Sequence, residues 1–114
     1  MEVVPANRAW LLGRLKYSLQ ILAAPAEIQL REMSVSGHKA DELYLKFGHW
    51  RSKVIGSFSS EIGIDQRALL DSMERTFTGM GRECWTDNGV SNSVEWKHVR
   101  LLSRKALRTF GWLV

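Results

Sequence analysis

The sequence predicts an all-α fold: a compact antiparallel helical bundle of four main helices plus one short helix. Three observations predict it. Apolar residues recur at spacings of three and four in four long segments. No segment alternates apolar and polar residues with the β-branched enrichment of a strand. The chain has 114 residues, which is one domain by length, and its breaks are short enough to join antiparallel neighbours.

The first helix is expected from about Asn7, a candidate N-cap, to Ala24. Leu12, Leu15, Leu19 and Leu22 form its apolar row, widened by Trp10, Tyr17 and Ile21. Pro25 interrupts it and suits the first position of a short second helix, Pro25 to Met33, where Glu27 and Arg31 stand one turn apart in the favourable order. Ser34 to Lys39 reads as a connecting loop around Gly37. A third helix, about Ala40 to Ser59, carries the row Ala40, Leu43, Phe47, Trp50, Val54 and Phe58. Gly13, Gly48 and Gly56 each cost helix stability, about 1 kcal/mol relative to alanine, and close helix–helix approach or a kink is the expected reason for them.

Asp65 is the expected N-cap of a fourth helix, about Gln66 to Gly79, with Leu70, Met73, Phe77 and Met80 on its apolar row. Arg82 to Ser91 reads as a polar loop with a turn at Asn88-Gly89. Asn92 followed by Glu95 resembles a capping box opening the last helix, about Ser93 to Phe110.

Charge is distributed unevenly along this framework. The chain carries +4 at neutral pH, whereas Lys97, Arg100, Arg104, Lys105 and Arg108 place +5 in the last 18 residues with no acidic residue among them. The first 96 residues therefore carry −1, the difference between those two figures. At about 100° per residue, Lys97, Arg100, Arg104 and Arg108 share one face of the last helix, opposite Val99, Leu102, Ala106 and Phe110. Leu101 falls among the basic residues, and an apolar side chain framed by arginines is a common interface anchor. The plainer reading is a solvated face with one stray leucine, since single exposed apolar residues are normal.

Apolar (45%) and charged (25%) shares match a folded globular protein. The lone Cys84 rules out an internal disulfide and suits a reducing compartment. The first ten residues lack a signal-peptide core, and the longest uninterrupted apolar stretch, Ile21 to Ala26, is far too short to span a bilayer. A cytoplasmic location is expected. His38, His49 and His98 show no zinc-ligand spacing, and no cofactor is implied. Asp41 and Glu42 diverge by about 100° on a helix and form no acid–base dyad. No phosphate loop or nucleophile motif occurs, so no catalytic residue is assigned. Trp85, in the polar loop, is expected to fold back over the core or to remain exposed as a contact residue. Trp112 is expected to pin the C-terminal tail.

The strings AWLLGRLKYSLQILAAPAEIQL, ADELYLKFGHW and VRLLSRKALRTFGW resemble a family of small bacterial all-helical proteins in which no motif is tied to chemistry. The resemblance implies a bacterial, cytoplasmic, all-α protein and carries over no site residue. The general form, a stand-alone helical domain without catalytic residues, is similar to the immunity proteins that neutralise bacterial toxins.

Two functions are therefore expected, in order. The first is a non-enzymatic protein-binding module, an immunity-type inhibitor being one form of it, that occludes an acidic protein partner such as a toxin domain. Its patch is Lys97, Arg100, Leu101, Arg104 and Arg108, with Trp85 at the edge. The alternative is a nucleic-acid-associated protein that binds phosphates through the same basic helix. Sequence-specific DNA reading is disfavoured, because Glu95 stands at the end of the helix that would meet the bases and the preceding connection is too long for a helix-turn-helix.

Overall fold

Pro25 divides the N-terminal third of the molecule. In the computed structural model, which describes residues 4–33 and 38–113 with side chains from residue 8 onward, helix α1 (Val4–Ala23) stops just before it. Helix α2 (Ala26–Glu32) starts just after it, with Pro25 as its N-cap. Residues 34–37 of the expected loop lie outside the described residues. Helix α3 (Lys39–Phe58) runs through a 3-10 turn (Ser59–Glu61) into α4 (Ile64–Thr78). A second 3-10 turn (Arg82–Trp85), the short α5 (Asp87–Asn92) and the long α6 (Val94–Thr109) complete the fold. The described residues contain helices and turns but no strand, so the all-α class holds. Among them no helix is long and apolar enough to cross a membrane.

Among the described residues four helices are long, as the spacing predicts, but two are short rather than one. The segment read as a polar loop is the second 3-10 turn followed by α5. Thr86 caps α5, its Oγ1 accepting the Gly89 N–H at 2.9 Å. Gly89 is required here: a Cβ at this position would stand 2.3 Å from the Glu83 carbonyl oxygen. Only a glycine lets α5 lie directly against the preceding turn.

The caps also differ from expectation. Gly63 is the N-cap of α4 and donates to Gln66 Oε1 at 2.7 Å; Asp65 sits inside the first turn, where a carboxylate suits the helix dipole. Ser93, rather than Asn92, caps α6, its Oγ accepting the Trp96 N–H at 3.1 Å. Helix α1 begins at Val4, which puts Asn7 within it rather than at its cap. Glu27 and Arg31 are exposed, and no ion pair joins them among the described residues.

One continuous core runs through the helices. It takes Leu15, Leu19 and Leu22 from α1, Leu43, Phe47 and Val54 from α3, Leu70, Met73 and Phe77 from α4, and Trp96, Val99 and Ala106 from α6. Burying each large side chain contributes roughly 1.5–3 kcal/mol. Helix α6 packs on both α1 and α4, and α1 also packs on α3. Trp10 and Tyr17, expected on the buried stripe of α1, are half-exposed. They lie about 140–160° round the helix from Leu15, on the side that faces away from the core. No helix of the described chain approaches Gly13, Gly48 or Gly56 closely, since a Cβ at any of them would meet nothing within 4 Å.

Candidate functional site

The basic residues of α6 do two different jobs. Lys97, Arg104, Lys105 and Arg108 are exposed along three turns, a length of about 16 Å. None of the four forms an ion pair among the described residues, although Arg8, Arg51 and Arg67 elsewhere pair with Glu61 or Asp71. Leu101 sits among them with 47% of its surface open to solvent. Lys105, which is not among the residues expected in the patch, stands one residue from Arg104 and lines a shallow hollow with Arg108, Asp65 and Leu69.

Arg100 leaves this crest. It lies about 60° round the helix from Lys97 and only about 20° from Leu107, which is buried. Its Nη1 donates to Gln29 Oε1 at 2.8 Å and to the Val90 carbonyl at 3.1 Å, joining α6 to α2 and α5. Gln29 is fully buried, and its Nε2 donates in turn to the carbonyls of Leu22 (3.0 Å) and Ile21 (3.2 Å). Those carbonyls belong to the last turn of α1, which has no next turn to bond because Pro25 ends the helix. Burial first, and then the neighbouring Arg104 charge, lower the Arg100 pKa from its ordinary value. A guanidinium still keeps its proton at neutral pH. Arg100 thus anchors the helix from which the other four cations project.

Trp85 folds back over the core, one of the two placements expected for it. Its ring stacks near Phe77 (6.3 Å) and meets Tyr44 (5.8 Å) and Trp96 (6.2 Å) edge-on. The flank it keeps open lines a hollow with Tyr44, Leu45, Thr78 and Met80, all on α3 and α4 or just after them. Its ring contacts are therefore with Tyr44, Phe77 and Trp96, and among the described residues no exposed cation of α6 lies over it. The Trp96 indole is satisfied inside the core, its Nε1 donating to the Cys84 carbonyl at 2.8 Å. Trp112 stacks on Phe110 at 4.4 Å, and its backbone N–H donates to the Leu107 carbonyl at 2.8 Å, which fastens the tail to α6.

The groups weighed for chemistry have structural surroundings. Cys84 is fully buried, and burial pushes its thiol pKa up, away from the reactive thiolate. His38 stands 3.7 Å from Asp41, both side chains exposed. Asp71 takes the Arg51 guanidinium at 2.6 Å, and Glu74 accepts the Tyr44 hydroxyl at 2.8 Å. Among the described residues, no three His, Cys, Asp or Glu side chains converge as metal ligands would. Comparison with known proteins yields no relative: no family model, curated protein or solved structure matches this chain.

Proposed function

We propose that this protein is a non-enzymatic protein-binding module whose α6 crest engages an acidic protein partner by steric occlusion. The observation that carries the reading is the half-exposed Leu101 framed by four cations that form no ion pair among the described residues. An apolar side chain ringed by basic ones fits a hot spot, where the leucine fills a hollow and the arginines meet carboxylates. Arg100 supports the patch by fixing α6 rather than by touching the partner. An immunity-type role, in which the crest covers an acidic face of a toxin domain, is the form of this reading that matches a small stand-alone helical protein.

Nucleic acid is the competing ligand, since four cations in line suit phosphates. Leu101 at the centre of the patch contributes nothing to a phosphate contact and favours the protein reading. The test captures partners from a lysate of the source cells, with and without nuclease, using the native protein and the double variant Leu101→Ala/Arg104→Glu. The expected result is a protein retained after nuclease and lost from the variant, with the helical circular dichroism unchanged. Retention by the variant, or loss of all capture on nuclease treatment, overturns the proposal.

A further inference from the structure

The outward side of α3, remote from the α6 crest, presents a second patch. Leu45 is 63% exposed there, the most open large apolar side chain on this helix. It stands between two hollows. One is lined by Arg14, His49 and Trp50; the other by Tyr44, Met80 and Trp85. Next to it along the helix, Gly48 leaves a bare strip of backbone, with nothing within 4 Å of where a Cβ would stand. Asp41 and His49 lie four residues before and four after Leu45, both exposed and on the same side of the helix.

That arrangement is complementary to itself. A two-fold axis crossing α3 at Leu45 pairs each residue before Leu45 with the one equally far after it in a second copy. Leu45 then meets Leu45 of the second copy, and Asp41 of each chain meets His49 of the other, giving two equivalent acid–imidazole contacts. The Gly48 strip lets the two helices approach closely, and the ridge of one α3 has a hollow on either side in which the other can lie. Asp41's contact within its own chain, 3.7 Å to His38, is between two exposed side chains and can be exchanged for the new one.

We propose that this protein self-associates as an antiparallel two-fold dimer through the outer face of α3, centred on Leu45. A contact centred on a single helix from each chain is expected to bind in the micromolar range. Sedimentation equilibrium from about 5 to 500 μM protein brackets that range. The average mass should rise from the 13.0 kDa of one chain toward twice that value. Leu45→Glu should weaken association at least about tenfold, as a charge buried without a partner must. Gly48→Gln, which blocks close approach while favouring the helix, should weaken it as well. Asp41→Lys and His49→Glu should each weaken association, and the two together should restore it.

Circular dichroism confirms that each variant remains folded. Arg104→Glu on α6 should leave association unchanged, which separates this proposal from the partner-binding one. A mass of one chain throughout the range overturns the proposal. So does association that is indifferent to Leu45→Glu, or a double charge exchange that fails to restore it.

Discussion

Arg100 and Arg104 are the same residue one turn apart on one helix, and the molecule uses them in opposite ways. Arg104 stands in solvent beside Leu101 with no ion pair among the described residues. Arg100 is turned about 40° away on the helical wheel and bonds a fully buried amide and a backbone carbonyl. The contrast teaches that a basic helix face need not be uniform. A small angular offset moves a cation from the surface that meets a partner to the seam that holds the helix. The two residues should therefore answer differently to mutation, one in stability and the other in binding.

The largest effect is expected where the seam is most crowded. Gly89→Ala drives a methyl group into the Glu83 carbonyl, displacing α5 and with it the Val90 carbonyl that accepts from Arg100. A loss of about 3 kcal/mol or more is expected, read by urea denaturation. Arg100→Ala comes next, at about 2–3 kcal/mol, because it strands Gln29 Oε1 and the Val90 carbonyl without their donor. The matching Arg104→Ala should change stability by less than about 0.5 kcal/mol. Equal losses for the two arginines would erase the distinction drawn here.

Smaller effects sharpen it from other sides. Gly13→Ala, Gly48→Ala and Gly56→Ala should each raise stability by about 0.5–1 kcal/mol, since the added methyl meets open space and helix propensity improves. Gly89→Ala has the opposite sign at the same substitution. Cys84 should react with an aromatic disulfide reagent in the folded state at least about a hundredfold more slowly than in urea, given its burial and raised pKa. Fast reaction in the folded protein would mean that the turn beneath Trp96 opens readily.

The long helices were legible because their rows of apolar residues repeat at the helical period over many turns. Phe47, Val54, Leu70, Met73, Phe77 and Val99, all read from that spacing, are buried. Helix α5 was hidden by its own composition. Asn88-Gly89 signals a turn, and only packing against the preceding segment, invisible in a local pattern, makes that glycine helical. The site shows the same division. The exposure of Lys97, Leu101, Arg104 and Arg108 follows from the wheel alone. Arg100 sits near the border of the apolar arc, and its fate depends on where α2 and α5 lie in space. The outward Trp10 and Tyr17 show the converse, because an aromatic residue near a helical stripe joins the core only when its angle turns it inward.

The bond from Arg100 to Gln29 joins residues 71 positions apart in the chain. Through Gln29 it closes the last turn of α1, and α1 itself packs on α6. The first and last helices complete each other, so no N-terminal fragment holds a finished core. On the ribosome, α1 to α4 would wait with one side uncovered until α6 emerges, and folding would then be a single late event rather than a gradual one.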